Sequence, residues 1–338
     1  MDNLTHTLTG IAISYAGFNR KTRYATLAIV IGANLPDGDI VASIWGNVTY
    51  LKYHRGITHS ISGAMVLGLA LAGIVYLLGR RSPPKKSGPP LKGDWLVFAC
   101  LAATGSHLLL DLTNSYGIRL LLPFNSHWYA WDIESIIDPL LWFILAAGLG
   151  LSFLFRLITE EVGARQTNFR LEAIVTLCAM VGLWGLRGIA HRRALDLLAE
   201  YDYHQKAPER LGAFPSPFNP FEWTGVVETE SAYYVLPVNL FGENLDLDTA
   251  RVFPKLESSP ELQAALRTRT ARIFMNFARF PLARSMPADE GGSTVMIRDL
   301  RYQPAEFEQG GFAVKVDLDK QLHVRSQAFS FSGRFRNN

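Results

Sequence analysis

The feature that most constrains this chain is the density of long apolar runs before about residue 187. A helix crosses the hydrocarbon core of a bilayer with about 20 predominantly apolar residues. Residues 59–79, 95–112 and 136–158 reach that length, and 171–186 is slightly short but almost uncharged. Two shorter helical stretches precede them, 4–18 and 24–45. The second of these carries Asn34, Pro36, Asp37, Gly38 and Asp39, so its far end must face protein or water, because lipid leaves such groups unsatisfied. Polar and charged residues return at ordinary density only afterwards. The expected fold is therefore mainly α, a multi-span transmembrane helical bundle over residues 1–194 followed by a soluble α+β domain over 195–338.

Composition narrows the function. A net charge of +3, with no basic run interleaved with aromatics, argues against a nucleic-acid partner. Both cysteines, Cys100 and Cys178, lie inside apolar runs, so no disulfide framework exists to report a compartment. Basic residues then orient the bundle. Arg20, Lys21 and Arg23, then Arg80, Arg81, Lys85, Lys86 and Lys92, then Arg156, Arg165 and Arg170 occupy alternate loops. Positive loops stay cytoplasmic. Arg187, Arg192 and Arg193 argue mildly the other way. On the majority topology His6, Asp37, Asp39, His54, His59, His107, Asp111, Asp132 and Asp138 all come near the outer face.

Three local patterns make that convergence chemical. His54-Arg55-Gly56-Ile57-Thr58-His59-Ser60 places two histidines five residues apart, which on one helix would diverge by roughly 140° at about 100° per residue. They converge only if His54 lies in a turn before the helix, with Thr58 as N-cap and His59 in the first turn. His107 and Asp111, four apart, share a helix face and present imidazole and carboxylate to one ion. Pro36-Asp37-Gly38-Asp39 is ordinary turn chemistry in water, but at membrane depth its carboxylates call for a cation. His6 begins the first helix, and Asp138 before Pro139 also reads as an N-cap.

The expected metal ligands are His6, Asp39, His54, His59, His107, Asp111 and Asp138. Asp37 and Arg55 are assigned to catalysis, with Asp37 also a second choice as ligand. Mixed nitrogen and oxygen donors suit zinc or manganese, and their surplus calls for two or more divalent ions. Two such ions suit phosphoester hydrolysis, with Arg55 holding a phosphate oxygen. No Gly-x-Ser-x-Gly elbow supports a serine nucleophile.

Taken in order, Asp2-Asn3-Leu4-Thr5-His6-Thr7, Leu35-Pro36-Asp37-Gly38-Asp39, the 54–60 motif and His107-Leu108-Leu109-Leu110-Asp111 resemble a known bacterial family. It is the membrane-bound metal-dependent hydrolases of the YdjM type, also described as LexA-binding and inner-membrane-associated. Gly117-Ile118-Arg119-Leu120-Leu121, Pro123-Phe124 and Ile137-Asp138-Pro139 extend the match, which covers roughly residues 1–190. The resemblance implies a multi-span helical protein of the bacterial inner membrane with a metal site and a hydrolase activity. LexA binding follows from no residue pattern, because the site is expected to face away from the cytoplasm.

Beyond residue 195, period-two runs at 225–230, 233–238, 294–299, 312–317 and 322–329 predict antiparallel strands. Residues 259–276 predict one helix, and the proline- and aromatic-rich 213–223 reads as a linker near the headgroups. This domain is expected outside the cytoplasm. The leading expectation is a hydrolase of a phosphoester, lipid-linked given the position of the site, with membrane lipid as its environment. The alternative is a non-catalytic metal-binding scaffold or regulator. A transporter fits less well, because the polar groups gather at one face and not at the midplane.

Overall fold

The structure, a computed structural model, describes residues 1–83, 88–161, 169–242, 245, 247–288, 291–302 and 311–335, apart from the side chains of 152–153 and 155–161. Its chain divides into two compact units. The first comprises Met1–Asp39, Arg55–Ala190 and Pro215–Pro220; the second comprises Ile40–His54, His191–Phe214 and Phe221–Asn338.

The first unit is built from α1 (Asn3–Ala16), α2 (Ala25–Asn34), α4 (Ile61–Arg81), α5 (Gly93–Thr113), α6 (Pro139–Glu161) and most of α7 (Arg170–Glu200), while α3 (Asn47–Tyr53) belongs to the second. Among the described residues, Ala25–Trp45, Ile61–Arg81, Gly93–Thr113 and Arg170–Glu200 are long and apolar enough to cross a membrane, and Pro139–Leu151 is a shorter apolar stretch. The expected stretch 24–45 is helical throughout but changes winding. After Asn34 it tightens into a 3-10 helix over Leu35–Trp45, where Pro36 lacks the N–H that would continue the α-helical ladder. The last span also differs. It runs through Arg187 to Glu200 as one 31-residue helix, because Arg187 is buried and paired and does not end the span.

Helix α5 is the centre of this unit, packing against α1, α2 and α4. Small residues bring the helices close. A Cβ on Gly32 would lie 3.0 Å from Ala103, and one on Gly68 would lie 3.0 Å from Thr104. Without a hydrophobic drive between helices in lipid, such close packing is what holds spans together. Buried Ala28, Leu71, Ala72, Val75, Leu96 and Cys100 fill one interface. Leu110, Leu141, Leu145, Met180 and Trp184 fill another.

The second unit holds two four-stranded antiparallel sheets, each a simple meander. One is β1 (Arg210–Pro215), β2 (Glu222–Glu228), β3 (Ala232–Asn239) and β4 (Arg251–Pro254); the other is β5 (Pro281–Pro287), β6 (Ser293–Asp299), β7 (Ala313–Leu318) and β8 (Val324–Ser330). Phe214, Val226, Tyr233, Val235, Phe253, Phe280, Leu282 and Leu300 form its core. The expected linker 213–223 is instead the end of β1, a short connection and the start of β2. The expected single helix over 259–276 breaks into α8 (Pro260–Leu266) and α9 (Arg269–Phe277). The break falls at Thr268, whose hydroxyl accepts from Ala271 N at 3.2 Å and caps the second helix. A threonine that bonds the local backbone competes with helix continuation.

One ion cluster ties the first sheet together. Glu228 accepts from Arg210 on β1, from Lys255 at 2.9 Å and from the Tyr233 hydroxyl at 3.1 Å. Burial alone would raise the Glu228 carboxyl, but hydrogen bonds from Lys255 and Arg210 outweigh it and hold the carboxyl below its ordinary value. A carboxyl lowered on folding contributes stability that is present above its unfolded pKa and lost as pH falls through the folded one. Melting the full chain in detergent between pH 7 and pH 3 is expected to give a smaller acid-side fall in Tm for Glu228→Gln than for the unaltered protein. Equal falls would remove Glu228 from the acid response.

Candidate metal centre

The site begins with a tight turn. Arg55, at φ 53°, reverses the chain after α3, and Ile57–His59 makes a single 3-10 turn before α4. Ser60, not Thr58, is the N-cap of α4, since its side chain accepts from Gly63 N at 3.0 Å and its hydroxyl donates to Ile57 O at 2.7 Å. The Thr58 hydroxyl is used elsewhere, donating to Asp39 Oδ2 at 3.0 Å. The turn leaves no room at Gly63, where a Cβ would fall 1.7 Å from the Ile57 carbonyl oxygen. The 118–122 segment pins the same turn from outside. Arg119 N donates to Arg55 O, Ile61 N to Leu120 O and the Ser62 hydroxyl to Leu122 O.

This turn points His59 at α5. His59 Nε2 lies 3.2 Å from Asp111 Oδ2, 3.3 Å from Asp37 Oδ1 and 3.1 Å from His107 Nε2. His107 Nε2 lies 3.4 Å from Asp111 Oδ2 and 3.7 Å from Asp37 Oδ1. One ligand atom from each of Asp37, His59, His107 and Asp111 lies within 4.8 Å of the others. The i, i+4 pair on α5, the 3-10 turn before α4 and the 3-10 extension of α2 thus deliver two nitrogens and two oxygens to one point.

Behind this set stand groups that orient it. His107 Nδ1 lies 2.6 Å from Ala33 O, a contact that places the proton on Nδ1 and frees Nε2 as a donor of electrons. His59 Nδ1 lies 3.3 Å from Asp39 Oδ2, which also accepts from Arg55 N at 2.9 Å. Asp39 therefore stands on the far side of the His59 ring from the cluster, in the place of an orienting carboxylate. Arg55, almost fully buried, donates Nη2 to Asp111 Oδ1 at 2.8 Å and Nη1 to Asn114 Oδ1 at 2.9 Å. The Met1 amino group also donates to Asp111 Oδ1.

His6 is wholly buried, with its ring stacked on His107 at 3.8 Å and its Nε2 3.6 Å from Asp111 Oδ1. Neither of its ring nitrogens has a hydrogen-bond partner, and the same holds for Asp37 Oδ2 and Asp111 Oδ2. Buried polar atoms are ordinarily paired, and leaving them bare costs free energy. Three carboxylates here, Asp37, Asp39 and Asp111, gather near one guanidinium, that of Arg55. The donor set fits a cation.

A family profile described as YdjM inner membrane protein matches residues 1–194 of this chain. The chain belongs to the YdjM family. The match takes in every residue of the cluster and places the protein in the membrane. Over 336 residues the chain is also 26% identical to "Uncharacterized protein YfhP" of Bacillus subtilis (strain 168), covering 96% of this chain and 94% of that one. No solved structure matches.

Of the residues expected from the sequence, this YdjM-family chain gathers His6, Asp37, Asp39, His59, His107, Asp111 and Arg55. Two lie elsewhere. His54 caps the C-terminal end of α3 in the second unit, its N–H donating to Tyr50 O at 2.7 Å and its ring stacked on Tyr50 at 4.4 Å. Asp138 caps α6 by accepting from Leu141 N at 3.0 Å and pairs with Arg187. The sequence reading missed Asn114, which bridges Arg55 and the end of α5. Its only signal was a hydrogen-bonding residue directly after the helix that carries Asp111.

Removing the Ser60 cap should cost about 1 kcal/mol, whereas a methyl at Gly63 forces backbone apart and should cost about 1–3 kcal/mol or more. Ser60→Ala and Gly63→Ala are therefore expected to lower Tm in that order, the second by the larger step. Equal melting temperatures for Gly63→Ala and the unaltered protein would contradict the turn described.

Proposed function

We propose that this YdjM-family protein is a membrane-embedded, metal-dependent hydrolase acting on a phosphoester at the outer bilayer face. The observation that carries the proposal is the buried set of Asp37, His59, His107 and Asp111, with unpaired atoms on Asp37, Asp111 and the adjacent His6. Two imidazoles and two carboxylates suit zinc or manganese. His59 and His107 would supply nitrogens, Asp37 and Asp111 oxygens, and His6 a further donor. When bound, a divalent ion supplies Lewis-acid polarisation of an ester oxygen and a nucleophile from water near neutral pH.

The remaining groups have roles of their own. Asp39 holds the His59 ring through Nδ1, fixing its tautomer and angle. Arg55 holds Asp111 with Nη2, while its Nε has no protein partner. That remaining donor is assigned to an anionic substrate oxygen. The bilayer setting of the helices motivates a lipid-linked phosphoester as substrate, and the basic-loop pattern motivates the outer face and an extracytoplasmic second unit.

A second reading has its own support. Structural ions are saturated by protein ligands, and four protein donors are already present, with Arg55 committed to Asp111 and Asn114. In that reading the ion ties α2, α4 and α5 together in a non-catalytic scaffold.

Elemental analysis of protein purified in detergent, combined with a panel of soluble and lipid-linked phosphoesters, separates the two. The hydrolase reading expects bound divalent metal and turnover, with both lost in His59→Ala and Asp111→Asn. Asp39→Asn is expected to weaken metal binding by about 10–100-fold without abolishing it. Metal retained with no turnover of any ester would favour the scaffold, and absence of metal would overturn both.

A further inference from the structure

Outside the cluster the first unit buries a second charged group that no step above uses. Arg187 on α7 is fully buried, and among the described residues its acceptors lie on the segment following α5. Its Nη1 donates to Glu134 Oε2 at 2.8 Å, to Asp138 Oδ2 and to the Ile133 carbonyl at 3.5 Å. Glu134 and Asp138 are fully buried as well.

The same segment closes the end of α5. Trp131 N donates to Leu112 O at 2.8 Å, and the N–H groups of Ile133 and Glu134 donate to Thr113 O at 2.9 and 3.0 Å. These carbonyls belong to the last turn of α5, which has no intrahelical donors for them. Asn114, paired across a bridge with Glu134, accepts from Arg55 Nη1 and lies next to Asp111. An unbroken set of hydrogen bonds therefore runs from α7 through residues 131–138 to the last turn of α5, where Asp111 sits.

We infer that Arg187 is a positioning residue for the metal centre, holding the 133–138 segment so that the end of α5 presents Asp111 and Asn114 correctly. The inference rests on the metal reading above. It predicts that metal binding depends on a side chain that is not among the cluster's residues.

The charges of this group allow a clean test. Two carboxyls share one guanidinium, and burial pushes Glu134 up to about 9 despite Arg187. Arg187 Nη1 is the donor that the two carboxyls share. Arg187→Met alone would strand a buried carboxylate, which is strongly destabilising. The double variant Arg187→Met/Asp138→Asn removes both charges and keeps an asparagine able to cap α6. Glu134→Ala leaves the ion pair intact but removes one of the links, whereas Glu134→Gln keeps an acceptor for Arg187.

The experiment titrates full-length protein in detergent with Co²⁺ and reads visible absorption and Tm. For the double variant and for Glu134→Ala, the expected result is a Kd for Co²⁺ raised about 10-fold or more, as for lost outer partners of metal ligands, with altered ligand-field bands. Glu134→Gln should stay within a few-fold of the unaltered protein. Should the double variant fail to fold, Glu134→Ala carries the test. Unchanged Kd and bands in the folded variants would overturn the inference, as would equal losses in Glu134→Gln and Glu134→Ala. If the unaltered protein itself takes up no Co²⁺, the metal reading fails first.

Discussion

The complete burial of the Asp111 carboxylate is the constraint on which the first unit is organised. A charge without access to water must find compensation from the protein or from a bound ion. Asp111 Oδ1 receives Arg55 and the Met1 amino group, and Oδ2 faces the two imidazoles. These groups come from three places in the fold: Met1 just before α1, the turn before α4 with Arg55 and His59, and α5 itself with His107. The unit must therefore hold separate helices in register around one atom pair. That demand accounts for the close packing at Gly32 and Gly68 and for the lack of slack at Gly63.

Asp39 illustrates how many groups one carboxylate can hold in place. It touches the ring of His59 on the side away from His107, and it collects the Arg55 N–H and the Thr58 hydroxyl as well. A carboxylate so placed fixes both the ring and the turn that carries it. Asp37, two residues earlier, supplies the oxygen that faces the cluster. The 3-10 winding after Asn34 separates their tasks, since residues two apart on a helical coil do not share a face.

Much of this was legible beforehand, for definable reasons. Span lengths follow from hydropathy, and the His107/Asp111 pair follows from helical periodicity, so both needed only local information. The alternating runs around Val226, Val235, Ile297 and Val316 located strands for the same reason. What escaped depends on partners distant in sequence. His54 and His59 look like a pair, yet only His59 groups with His107 and Asp111, and no spacing rule encodes the left-handed turn at Arg55 that lies between them. Asp138 reads equally as cap or ligand until Arg187, forty-nine residues on, is seen beside it. Strands β1, β4 and β5 were missed because they are short or bounded by proline, which obscures alternation.

Arg187 carries the same lesson into topology. In the sequence it reads as one of three basic residues just past a span, arguing mildly against the orientation set by the other loops. In the structure it lies within α7, fully buried, with its charge met by Asp138. A guanidinium neutralised inside the protein contributes nothing to the electrostatic bias that keeps basic loops cytoplasmic, which acts on exposed Lys and Arg in loops. Removing it leaves Arg192 and Arg193, both exposed further along the same 31-residue helix, as the members of that trio that oppose the majority. The residue that reads as a surface charge in the sequence is the one whose buried contacts tie α7 to the segment closing the end of α5.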